Sequence, residues 1–230
     1  MISDDAMLTY NHESVLVVPD VLGAETLAQL RHVPAETVVA VASITAHTDV
    51  YDLEPGHTPA SPRVRRINTP HKVHPVLGAV VRTEAVLDIL KRLIGPALRL
   101  HGTKLSMKAA RYGSPVEDWA FYPHTNDDVL VIGALPDDID LANGPMLVTR
   151  GAHIGPISNH HGEEGRFAGL IDPDAIRAEI GRAVPSTGPL LAGAASGRGA
   201  GARAASTGPA PGLHLRDAVG REGALFERAV

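Results

Sequence analysis

Between Asp118 and His153 the chain reads DWAFYPHTNDDVLVIGALPDDIDLANGPMLVTRGAH, and this stretch restricts the fold more than any other. It holds two short apolar pieces, Val129 to Ala134 and Met146 to Thr149, rich in Val, Ile and Leu. Turn formers lie between them at Pro136, Asp137, Asp138, Asn143, Gly144 and Pro145. Apolar runs this short, bounded by such residues, suit strands and not helices, and the spacing predicts an antiparallel pair joined by a loop. The same stretch carries the only Trp, two His and a run of carboxylates, so the polar chemistry gathers on a β scaffold.

The remaining segments fit around that scaffold. After a polar lead, Ser14 to Val18 reads as a strand ended by Pro19 and Asp20, and Ala24 to His32 as a short amphipathic helix. Residues 45–74 hold few apolar positions but several His, Arg and Pro, and are predicted to run as a long ordered surface loop. Within it, His47 and Asp49 have the spacing of a metal pair, but such side chains serve equally well to cap backbone groups, as do His57, His71 and His74. Arg63, Arg65 and Arg66 either meet an acidic substrate or form surface salt bridges.

Thr83 to Gly95 is the clearest helix. Thr83 is placed to cap it, Val86, Leu87, Leu90, Leu93 and Ile94 line one face, and Gly95-Pro96 stops it. Leu98 to Leu100 and Thr103 to Lys108 read as strands. Alternation in the second puts Lys104, Ser106 and Lys108 on one face and Leu105 and Met107 on the other. Two Lys on one face of a strand make either a solvent face or an anion site.

Composition excludes several classes. A chain of 230 residues with 44% hydrophobic residues can build one sizeable core. A formal charge of −5 and the lack of a long basic stripe argue against a nucleic-acid binder. No apolar run is long enough for a membrane helix, and the acidic start, with Asp4 and Asp5, is not that of a signal peptide. The absence of Cys removes disulfides and thiolate metal sites and fits a cytoplasmic enzyme.

The ordered set KLSMK, DWAFYPHTNDD, NGPMLV and GAH closely resembles the phytanoyl-CoA dioxygenase family of Fe(II)- and 2-oxoglutarate-dependent oxygenases. The resemblance runs from about residue 14 to 180. It implies a mainly β fold with flanking helices, a double-stranded β-helix or jelly-roll barrel with the active site in its mouth. On this reading residues 1–184 form the barrel domain and 185–230 a Gly/Ala-rich tail. The implied reaction oxidises a small-molecule substrate at an unactivated C–H bond while 2-oxoglutarate is decarboxylated to succinate.

The resemblance also assigns roles. Lys108 matches a lysine that reaches 2-oxoglutarate, with Lys104 as a second candidate. Asp118 matches the carboxylate of an iron-binding His-x-Asp pair, and Trp119 to Tyr122 match the aromatic wall beside it. His124, Asn143 and His153 join the pocket, His153 as a support for the site and not as a ligand. Iron in this family is held by two His and one carboxylate, which leaves positions for 2-oxoglutarate and O2. Here the chain reads Val116-Glu117-Asp118, with no His two residues before the Asp. The resemblance implies that about three residues are missing at that point. Glu117, Asp128, His160 and His161 are nearby donors whose more ordinary role is solvated or structural.

The end of the chain departs further. Asp172 caps and Pro173 starts a short helix between Ile171 and Arg182. From 188 to 212, fifteen of twenty-five residues are Gly or Ala, a composition that predicts an unordered segment. The family's distal His and the Arg for the far carboxylate of 2-oxoglutarate have no match there. His214 is the one His beyond position 161 and the only candidate distal ligand; Arg216 and Arg221 are weak substitutes for the Arg. GC-rich DNA read out of frame yields this excess of Gly, Ala, Arg and Pro, so a shifted reading frame from about residue 185 is the expected cause. The sequence leaves open a non-catalytic barrel that binds a small acid or a partner, and a different cupin-type metalloenzyme.

Overall fold

The computed structural model describes residues 2–108, 129–137, 146–154, 159–161, 165, 183–186, 190–194, 204–205 and 219–228, and gives the backbone alone at 108, 146, 147 and beyond 182. Helix α1 (Asp4–Glu13) starts where the Ser3 hydroxyl accepts the Ala6 N–H at 3.2 Å, with Asp4 and Asp5 in the electropositive first turn. It stops at Ser14, which adopts the left-handed conformation (φ 58°) and donates its N–H to the Tyr10 carbonyl at 2.7 Å. The sequence gives only a polar lead here, because Tyr10 is the one buried residue and no apolar stripe marks the helix.

Strand β1 (Val15–Val17) leads to α2 (Ala24–Val41), which runs through Pro34 well past the end predicted at His32. A proline inside a helix costs about 3 kcal/mol. Leu30, Val33, Thr37 and Val41 are buried at spacings of three and four, and each fully buried aliphatic chain returns about 1.5–3 kcal/mol. The buried stripe outweighs the lost hydrogen bond, and the helix continues.

The predicted loop over 45–74 is a second correction. It contains β2 (Tyr51–Leu53), β3 (Val64–Asn68) and α3 (Pro70–Val73), followed by α4 (Pro75–Val80) and α5 (Glu84–Ile94). Charged residues in Val64-Arg-Arg-Ile-Asn hide a strand whose Val64 and Ile67 are buried. At α5, Thr83 holds the N-cap position, but its hydroxyl donates to the Val80 carbonyl at 3.0 Å and makes no cap bond to the helix. Gly78 in α4 leaves no room for a side chain. A β-carbon there would lie 2.9 Å from the His71 carbonyl oxygen, a backbone atom that cannot swing aside.

Strand β4 (Leu98–Lys108) joins the two predicted strands into one. With β5 (Val129–Ala134), β8 (Leu190–Ala194) and β10 (Val219–Arg228) it builds a seven-stranded antiparallel sheet ordered β1-β8-β5-β10-β4-β3-β2. A second sheet is ordered β7-β6-β9, from β6 (Met146–Thr149), β7 (Ala183–Ser186) and β9 (Ala204–Ala205). This is the expected architecture, mainly β in two antiparallel sheets with helices outside.

The predicted β5–β6 hairpin does not form. Both edges of β5 are occupied, by β8 and β10, and β6 pairs with β7 and β9 in the other sheet. The connection of residues 135–145 exceeds the two to five residues usual in a hairpin and suits a crossing between sheets. The Gly/Ala-rich stretch expected to be unordered supplies β8 and β9, and β10 lies between β4 and β5. Flanked on both edges, β8 and β10 are held by ladder hydrogen bonds, which do not depend on side-chain size, whereas β9 pairs along one edge only, with β6.

The core lies between the helices and one face of the larger sheet. Val33, Leu77, Val86 and Leu90 pack with Ile67, Leu105, Met107, Leu130 and Ile132, all nearly excluded from solvent.

Candidate functional site

Alternation along a strand makes the packing of one face fix the composition of the other. Ile67 and Leu105 are opposite each other in the β3–β4 ladder and face the helices. Arg66, Asn68, Lys104 and Ser106 therefore share the opposite face, and all four are half-buried. Arg66 stands across from Ser106 on one side and Asp52 on the other, and Asn68 stands across from Lys104. In a jelly roll the face turned from the helices lines the interior of the barrel.

Of the residues singled out in the sequence, Lys104 lies on this face, and Lys108 is the last residue of β4, its backbone paired with Val219. His153 sits in a single 3-10 turn (Ala152–Ile154) directly after β6. Its ring Nδ1 is buried without a hydrogen-bond partner among the described residues. Asp118, Trp119, Tyr122, His124, Asn143 and His214 lie outside the described residues.

The structure adds two supports that the sequence did not single out. Glu13, at the end of α1, forks onto Arg150 at 2.8 and 3.3 Å, and its carbonyl accepts the Gly151 N–H at 2.9 Å. This clamp fixes the turn that carries His153. Arg31 of α2 donates to the Pro136 carbonyl at 2.9 Å and pairs with Asp137 at 3.4 Å, which anchors the exit from β5. Both link residues more than a hundred positions apart, and no local pattern could have shown them.

Of the histidines in the predicted loop, His47 and His57 fasten backbone, whereas His71 meets a side chain and His74, expected as a backbone cap, places its Nε2 2.7 Å from the Glu36 carboxylate. His47 Nδ1 accepts the Leu53 N–H at 3.1 Å, so the His47-x-Asp49 metal pair is replaced by a backbone cap. His57 Nδ1 accepts the Arg63 N–H at 2.9 Å, and its Nε2 meets the Ile44 carbonyl at 2.7 Å. His71 Nδ1 lies 2.5 Å from the Thr103 hydroxyl. Burial, and then the charges of Lys72 and Arg82, hold the His71 imidazole below its ordinary value. His160 is buried, whereas His161 is exposed.

Among the described residues no three His, Asp or Glu side chains converge in a way that would hold a metal. The sequence supplies one matched carboxylate, Asp118, and one candidate imidazole, His214, where the family's iron site takes two imidazoles and a carboxylate. Both residues lie outside the described residues.

The sequence model of the phytanoyl-CoA dioxygenase family matches residues 12–186. A protein of Stutzerimonas stutzeri described as a "Probable alpha-ketoglutarate-dependent hypophosphite dioxygenase" is 31% identical over 175 residues, 74% of this chain and 59% of the relative. The ectoine dioxygenase of Sphingopyxis alaskensis is 24% identical over 155 residues, 63% of this chain and 47% of the relative. The chain thus spans between about half and three fifths of these relatives. Among solved structures, EctD from S. alaskensis in its apoform superimposes with a TM-score of 0.73 at 18% identity, covering 99% of this chain and 77% of EctD. The same protein with bound Fe gives 0.72 at 17% identity, covering the same shares. These likenesses show the fold. Among the described residues no helix is long and apolar enough to cross a membrane.

Proposed function

The chain belongs to the phytanoyl-CoA dioxygenase family, and on that premise we propose that it is an oxygenase barrel for a small-molecule substrate whose own iron-dependent turnover is low or absent. Relatives named as hypophosphite and ectoine dioxygenases, and an EctD structure with 2-oxoglutarate and 5-hydroxyectoine, support a small polar substrate and 2-oxoglutarate as co-substrate. On this reading Lys108 and Lys104 meet the co-substrate. Asp118 is the remaining carboxylate of the iron site, with His214 as the candidate distal ligand. Trp119, Tyr122, His124, Asn143 and His153 border the pocket.

The observation that carries the loss of turnover is Val116-Glu117-Asp118, where the expected imidazole is missing two residues before the carboxylate. An octahedral Fe(II) that loses one of three protein ligands loses both affinity and the orientation of its open positions. The Gly/Ala-rich composition after about residue 185, without the family's distal His and Arg, points the same way. Reading the coding DNA in the other two frames tests a shifted frame there; if neither frame yields an HGS-like sequence followed by strand-like residues, that origin is wrong.

The reaction test is direct. Purified chain supplied with Fe(II), 2-oxoglutarate and O2 is expected to release no succinate beyond the protein-free control. Sustained succinate formation defeats the proposal. The second reading, a non-catalytic barrel that binds a small acid, is favoured by the same incomplete donor set. Saturable 2-oxoglutarate binding without turnover, weakened in Lys108→Ala, is its signature.

A further inference from the structure

The larger sheet ends at β2, and the outer side of that strand is filled by the residues that lead into it. Backbone groups along a strand point alternately to one neighbour and to the other. The Val50 carbonyl accepts the Asn68 N–H at 2.7 Å and Asp52 stands across from Arg66, so positions 50 and 52 turn toward β3. Tyr51 and Leu53 therefore turn their N–H and C=O groups outward, to the side on which a further strand would add. Local contacts take these groups. The Tyr51 N–H donates to the Thr48 hydroxyl at 2.9 Å, the Tyr51 carbonyl accepts the Thr48 N–H at 3.0 Å, and the Leu53 N–H donates to His47 Nδ1 at 3.1 Å.

Outward backbone groups on an edge strand are a template for a strand of another chain, and proteins cover them. Here the Thr48 hydroxyl and His47 Nδ1 occupy the places where carbonyl oxygens of a neighbouring strand would stand. Both side chains are exposed, so altering them leaves the core intact. The strand that such an edge takes is β2 of a second copy. Each copy carries the same edge, and two of them pair antiparallel about a twofold axis, an arrangement that closes on itself and uses both.

We propose that His47 and Thr48 are an edge guard: by filling the outward side of β2 they keep the larger sheets of two copies of this chain from joining through that strand. The assignment is independent of what the barrel binds. It gives the His47-x-Asp49 spacing a role other than metal binding.

The test compares side chains of similar shape in the full chain. Asn carries its amide oxygen where His carries Nδ1, Leu puts a methyl there, and Val replaces the hydroxyl of Thr by a methyl. His47→Leu combined with Thr48→Val thus frees two N–H donors, whereas His47→Asn keeps the acceptor. Sedimentation velocity over a concentration series should show the double variant self-associating at least about tenfold more tightly than the wild type, the net value of two ordinary hydrogen bonds. His47→Asn should match the wild type. Amide hydrogen exchange locates the contact: in the double variant the Tyr51 and Leu53 amides should exchange faster than in the wild type when dilute, and regain protection when concentrated. A double variant that associates no more than the wild type overturns the proposal. So does association that leaves those two amides unprotected, or that His47→Asn shares. Should the double variant fail to fold, Thr48→Val alone is expected to give the same pattern at Tyr51, and its absence there is equally decisive against the guard.

Discussion

Replacing Leu90 with alanine is expected to lower the stability of the fold by about 2–5 kcal/mol. Leu90 lies on the buried face of α5 with Val86, Ile89 and Ile94 and has no exposed surface. It belongs to the cluster that joins the helices to Ile67, Leu105 and Leu130 of the larger sheet. Truncation removes buried methyl groups, and a cavity remains because α5 is held at both ends. Its N-terminus is fixed through the Thr83–Val80 contact, and its C-terminus by Gly95, whose N–H reaches the Lys91 carbonyl at 3.0 Å. Urea unfolding should show a lower midpoint with an unchanged slope. A change under about 1 kcal/mol would mean that α5 does not pack on the sheet as described.

The second large effect is alkaline. Tyr10 is buried at the end of α1, and burial drives its phenol far above the ordinary value, because the charged form cannot be solvated there. The sign follows from linkage. A group whose folded pKa is raised leaves stability intact below its unfolded pKa, here about 10. Above that pH the unfolded chain ionises first, so stability falls as pH rises, by at most about 1.4 kcal/mol for each unit until the folded phenol titrates. Tyr10→Phe should remove this part of the decline between pH 10 and 12. An identical alkaline profile in the wild type and Tyr10→Phe would show that the ring is not buried on α1.

What could be read in advance follows the range of the forces. The stripe Val86, Leu90 and Ile94 marks α5 at short range, and β5 and β6 declare themselves by short apolar runs between turn residues. Alternation at Lys104, Leu105, Ser106 and Met107 already divided the two faces of β4. The face that turns inward was fixed by Leu105 and Met107 packing with the helices. The partner of β5 was not readable, because strand pairing depends on elements far along the chain. β3 stayed hidden because its two arginines interrupt the apolar pattern, although one of them lies on the face turned from the helices. Likewise α2 overran Pro34 because burial of Val33, Thr37 and Val41 is a tertiary gain absent from local propensity. Strand period alone puts Lys104 on the face opposite Leu105, whereas the Glu13–Arg150 clamp needs the folded chain.

Fe(II) titrated anaerobically into the purified full chain in the presence of 2-oxoglutarate, with bound iron measured after removal of the free ion, reads the donor set itself. The incomplete set around Asp118 predicts that far less than one iron is retained per chain. One tightly held iron per chain would contradict it and show that another side chain supplies the missing imidazole's place.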